Sequence, residues 1–163
     1  MSQINTREVI LLAPTTVTTS GTGPDINLIQ GWQSAIVSIV TSTTSGTSPT
    51  FAVFIQKKLG QPAATDTAGN PPTGTAIYDD VMSFTSITTN ATKIGQIVAA
   101  NPTGTANATT VTTMDWAQAD GSLTAGSMRI GPLGGTWRVK YTVGGTSPST
   151  SIFVTVQLVP YGT

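Results

Sequence analysis

The chain predicts an all-β fold, an antiparallel β-sandwich or jelly-roll-like arrangement of roughly seven to ten short strands with two long loops. Three observations carry this. The first is composition: 32 of the 163 residues are threonine, and Val and Ile supply much of the apolar content. Thr, Val and Ile are stiff at χ1 and suit a pleated surface. The second is alternation. Trp137, Val139, Tyr141 and Val143 fall on one face of a strand, with Arg138, Lys140 and Thr142 on the other. The third is a duplication. The tetrapeptide Gly-Thr-Ser-Pro occurs at residues 46–49 and 145–148, each time after a tryptophan-led apolar run and before a second such run.

In chain order, the first strand signal is 9–13, apolar at consecutive positions and ended by Pro14. Such a run has no evident wet face and needs cover on both sides. Residues 15–19 extend it as a threonine-rich edge, and 20–25 read as a turn. Residues 32–40 and 51–55 then form a first hairpin about the turn at 46–49, where Gly can take positive φ and Pro withholds an N–H from the ladder. Residues 60–75 form a long Gly/Pro/Ala/Thr loop. Strand signals return at 76–78, 81–88 and 93–98, followed by a second long loop at 99–110. Residues 115–119 have room for a single helical turn, 128–130 continue as strand, and 131–135 turn. Residues 136–159 close the chain as a second hairpin, whose return strand puts Ile152, Val154, Val156 and Leu158 on one face.

The same composition narrows the chemistry. Only 9% of residues are charged, seven basic against seven acidic, and the basic ones are scattered. Nucleic-acid binding leans on clustered Lys and Arg, so none is expected, and Lys57–Lys58 reads as a solvated strand end. The chain has no Cys and no His, which removes disulfides, thiolate ligands, the commonest general base and the usual nucleophile pairings. Asp79 and Asp80 are adjacent, so on a strand they point to opposite faces and cannot act as a pair. Residues 66–70 carry too few well-placed oxygens for a calcium loop. Asn90 and Asn107 head N-x-T triplets, but the N-terminus lacks a secretory signal pattern, so the match is read as composition. No run reaches the roughly 20 apolar residues of a membrane span. Trp32, Trp116 and Trp137 are read as core anchors in preference to a sugar-binding surface. The expectation is a single domain over 1–163, with no catalytic residues, no cofactor and no metal.

Several segments carry a resemblance. The alternating strands that follow Gly-Thr-Ser-Pro at 46–55 and 145–158 are similar to those of small structural proteins of tailed bacteriophages. So are the stretch 78–88 with Gly95-Gln96-Ile97-Val98, and Gly131-Pro132-Leu133 running into Trp137-Arg138-Val139. The resemblance implies a non-enzymatic virion component, most like a capsid decoration (cement) protein. It implies a homo-oligomer, a trimer being favoured, seated outside the head on the major capsid protein after synthesis in the host cytoplasm. A tail, baseplate or head-fibre part is the alternative, and a carbohydrate-binding module the second. The two runs with no wet face supply the interface candidates: Val9, Ile10, Leu11 and Leu12, within an N-terminal arm at 1–13, and Phe51, Val53, Phe54 and Ile55.

Overall fold

The computed structural model describes residues 6–28, 32–60, 76–98, 110–113, 120–130 and 133–160. Among these residues there is no helix, and the fold is all-β and sandwich-like. The strands are β1 (Arg7–Val17), β2 (Gly21–Thr22), β3 (Ile26–Leu28), β4 (Trp32–Gly60), β5 (Ile77–Ser83), β6 (Ala91–Val98), β7 (Thr110–Thr113), β8 (Ser127–Ile130) and β9 (Gly135–Pro160). They join one sheet in the order β1-β9-β4-β5-β8-β7, with β2 and β3 also on β9 and β6 also on β4. Every pairing is antiparallel except β7 with β8. The predicted loops at 60–75 and 99–110 fall outside the described residues, apart from Gly60 and Thr110, which end β4 and begin β7. The helical turn at 115–119 also lies outside them.

Two strands set the architecture. β4 has 29 residues and β9 has 26, against a usual length of about 3–10. They pair with each other from Trp32↔Pro160 to Lys57↔Trp137. This corrects the two expected hairpins. Residues 51–55 do not fold back onto 32–40; both runs pair with β9. The two Gly-Thr-Ser-Pro segments are not reversals but bends, and they face one another across the ladder, with Thr47 opposite Thr146. Their backbones match: φ is 110° at Gly46 and 103° at Gly145, 48° at Ser48 and 47° at Ser147. Because both strands bend at the same level, pairing resumes beyond the bend after a few register shifts.

Each long strand carries a broken companion on its other edge. β9 is followed first by β1, from Arg7↔Leu158 to Val17↔Thr150, and then by β2 and β3, from Gly21↔Tyr141 to Leu28↔Gly135. β4 is followed by β5, from Gly60↔Ile77 to Phe54↔Ser83, and by β6, from Thr41↔Ala91 to Ser34↔Val98. The result is a four-stranded ribbon with approximate two-fold symmetry about the paired bends. One core cluster takes Val37, Ile39, Val154 and Val156 from one half and Val53, Ile55, Trp137 and Val139 from the other, so the same face of both halves is turned inward. Alternation in β9 is as the sequence predicts: Ile152, Val154, Val156 and Leu158 are all buried.

The run at 9–13 has a different explanation from the one expected. The register of β1 against β9 shifts between Ile10 and Leu12, a β-bulge that turns both Leu11 and Leu12 into the core and leaves Ile10 51% exposed. Consecutive apolar residues here reflect that bulge, not a strand covered on two sides.

Candidate functional site

The polar residues of the half built from the C-terminal part of β4, β5 and the N-terminal part of β9 converge on one network. Arg138, Gln56 and Asp80 are Cα partners in a row across three strands. Gln56 is fully buried. Its Nε2 donates to Asp80 Oδ1 at 2.7 Å and to Asp120 Oδ1 at 2.8 Å, and its Oε1 accepts from Arg138 Nε at 2.8 Å. Asp80, also fully buried, accepts from the backbone N–H groups of Gly121, Ser122 and Leu123 at 2.9–3.0 Å. Lys140 Nζ donates to Asp120 Oδ1 at 2.8 Å and to the Asp120 carbonyl at 2.9 Å. The carboxylate of Asp80 thus pins the loop at 120–123 to the sheet through three successive amides.

The network extends along the same strands. The Arg138 guanidinium lies 3.3 Å from the centre of the Tyr78 ring, and the Tyr78 hydroxyl donates to Asp25 at 2.7 Å. Lys58 pairs with Asp25 at 3.3 Å, so it is a partnered residue and not simply a solvated strand end. Burial, then the bond to Asp25, raises the Tyr78 phenol above its ordinary range. The hydrogen bonds from Lys140 and Gln56 lower the Asp120 carboxyl, and desolvation lowers the Lys57 amine. Asp79 faces the other way, as the strand period predicts, and makes a buried ion pair with Arg129 at 2.6 Å. Asp79 and Asp80 therefore share no partner among the contacts described. Of the seven acids, Asp66 and Asp115 lie outside the described residues, and four of the other five are engaged in holding the fold. Among the described residues no three acids converge where a metal ion would need them.

The second feature is a surface. The half built from β1, the C-terminal part of β9, the N-terminal part of β4 and β6 turns its other face outward. Cα pairing lines its residues in rows: Ile10, Thr155, Ser38, Ile94; then Glu8, Gln157, Ile36, Gln96; then Phe153, Val40, Thr92. Ile10, Val40 and Ile94 are 51%, 40% and 60% exposed. Glu8 is the one charged side chain in these rows, and the rest are apolar, hydroxyl or amide.

Most of the interface candidates lie elsewhere. Leu11, Leu12, Phe51, Val53 and Ile55 belong to the core of this chain, Phe54 is buried, and Val9 is half-buried against the core. All of these but Val9 are covered by their own fold and offer no surface to a partner, and Ile10 alone lies on the outward face. Residues 7–13 are not a separate arm but part of β1, paired with β9. The sequence reading missed Ile36, Val40, Ile94 and Phe153. The signal was present in 35–40, where Ala35, Val37 and Ile39 alternate with Ile36 and Val40 and both faces are apolar. Of the tryptophans, Trp137 is fully buried, Trp32 packs against the core, and Trp116 lies outside the described residues. No family profile, curated protein or solved structure matches this chain.

Proposed function

We propose that the protein is a non-enzymatic virion component, a capsid decoration protein that seats on the outside of a tailed-phage head as a homo-oligomer and strengthens the major capsid lattice. The observation that carries this reading is the outward face of β1, β9, β4 and β6, whose exposed apolar side chains sit among hydroxyls and amides with one charge at its margin. Three exposed apolar side chains on one nearly uncharged sheet face, Ile10, Val40 and Ile94, offer apolar contact to a partner. The polar network supports the same reading from the other side: its acids are committed to holding a loop, which favours a scaffold over a reactive centre. The resemblance of the strand and turn segments to phage structural proteins gives the partner.

The test adds purified protein to undecorated shells and follows occupancy and shell melting together. Saturable binding that raises the melting temperature is expected, since a ligand selective for the assembled lattice stabilises it by mass action. With so little charge in the contact, affinity should change little between about 0.05 and 0.5 M salt. Ile94→Lys replaces the most exposed apolar side chain of the face, on its β6 side, by a charge and should weaken occupancy while leaving the stability of the free protein within about 0.5 kcal/mol of wild type. Binding confined to tail assemblies would transfer the protein to the tail or fibre, and saturable quenching by oligosaccharides without shell binding would make it a sugar-binding module.

A further inference from the structure

The gap between the edge of β6 and the strands β5 and β8 forms a cleft of about 200 Å³. Its apolar wall is Met82, Phe84 and Met128, all buried. Three features set it apart from a packing defect. Among the described residues β6 pairs only with β4, and that ladder runs without a register shift from Ala91 to Val98, so the opposite edge of β6 is regular and has no strand partner among them. Ser127 lines the cleft, is 2% exposed, and its hydroxyl is buried with no hydrogen-bond partner among the described residues. Lys93, also on the cleft, donates to Thr85 Oγ1 and has no carboxylate partner among the described residues.

We infer that this cleft is a side-chain pocket beside an open strand edge, and that it takes an extended segment of a partner protein carrying an apolar residue and a carboxylate on the same face. The volume is below the roughly 300–1,000 Å³ of sites for drug-sized ligands, and suits one or two side chains. Strand addition supplies affinity through backbone hydrogen bonds to β6, while the pocket reads alternate side chains. The apolar side chain enters against Met82, Phe84 and Met128. A backbone carbonyl of the added strand is the acceptor that Ser127 lacks, and a carboxylate two residues away meets Lys93. Gly95 keeps the pocket in shape, because a Cβ there would lie 2.6 Å from Met82 Sδ and push that side chain from its place. The cleft shares Ile94 and Gln96 with the outward face, but its wall of Met82, Phe84 and Met128 and its Lys93 lie outside the rows of that face, so Lys93→Gln tests this inference without testing the docking on a shell.

The test screens the immobilised full chain against a library of acetylated, amidated heptapeptides randomised at every position, then follows amide exchange with an enriched peptide bound. Enrichment of an apolar residue two positions from Asp or Glu is expected, with slowed exchange in β6. Lys93→Gln, a change at a half-buried site that leaves the core intact, should weaken the enriched peptide about tenfold and remove the acidic preference but not the apolar one. The inference is overturned by no enrichment, by an acidic preference that survives Lys93→Gln, or by slowed exchange outside β6. A dimer in light scattering that protects the same β6 amides would assign the edge to a second copy and overturn it too.

Discussion

Asp80 shows how much a single side chain holds in a protein with few charges. Burying a carboxylate is costly unless its oxygens are satisfied, and here Gln56 and three backbone amides satisfy them. Asp80→Asn keeps the shape but replaces one acceptor by a donor, which then faces either Gln56 or the amides of Ser122 and Leu123. The expected loss is about 2–3 kcal/mol in urea unfolding, with faster amide exchange at 121–123. A midpoint equal to wild type would mean that the loop is held by something else. Charge also makes stability pH-dependent at both ends. Asp120 has a folded pKa below its unfolded value near 4, so its contribution is complete above that value and is lost as pH falls through the lower folded pKa. Tyr78 has a folded pKa above its unfolded value of about 10, so its contribution is complete below that value and is lost as pH rises through the folded pKa. Melting curves against pH should therefore lose part of their acid limb in Asp120→Asn and part of their alkaline limb in Tyr78→Phe. The threonines have a structural use as well as a solvent-facing one. Where the β4–β9 register shifts, Thr150 Oγ1 lies 2.9 Å from Thr44 Oγ1 and donates to the Ser42 carbonyl, and Thr41 Oγ1 accepts from the Ala91 amide.

At the scale of the element, the duplicated tetrapeptide was legible as a feature but not as the right one. Gly, Ser and Pro announce a departure from the extended strand, and the positive φ values at Gly46, Ser48, Gly145 and Ser147 bear that out. Composition alone does not distinguish a reversal from a bend, because the difference lies in which strand is opposite. The copies interlock: a Cβ on Gly46 would lie 2.7 Å from the Ser147 carbonyl oxygen, and one on Gly145 would lie 2.6 Å from that of Ser48. These neighbours are backbone and cannot rotate away. Gly46→Ala and Gly145→Ala should each destabilise by about 2–4 kcal/mol, and the double change should be non-additive because the sites share one contact surface. Ser48→Gly relieves a left-handed residue and should be neutral or stabilising by up to about 1 kcal/mol. Denaturant midpoints of the four variants measure all three statements; additive losses would show that the bends act independently.

Across the whole molecule, the ribbon encloses one core because both halves turn the same face inward, and β1 closes it. Removing residues 1–13 takes away the pairing from Arg7↔Leu158 to Leu12↔Val154 and deletes Leu11 and Leu12 from the core. Burial of such side chains is worth about 2–5 kcal/mol each when truncated, a large share of the total stability of a domain this size. The truncated chain should show no cooperative unfolding transition by circular dichroism. A truncated chain that melts cooperatively would restore the reading of 1–13 as a separable arm.

What the sequence determined by itself was local. A period of two needs only neighbouring residues, so the all-β class, the buried face of β9 and the opposed directions of Asp79 and Asp80 followed from residue order. The dense hydroxyls and sparse charges likewise foretold an outward face that is nearly uncharged. The tertiary structure decided everything that depends on a distant partner. It placed β9 beside both halves of β4, made a bulge of the apolar run in β1, and took most of the interface candidates into the core. It also made Asp80 the anchor of a loop some forty residues later in the chain. Strand period is written in successive residues, whereas pairing and burial are chosen among all surfaces that meet, and those contacts join segments far apart in sequence.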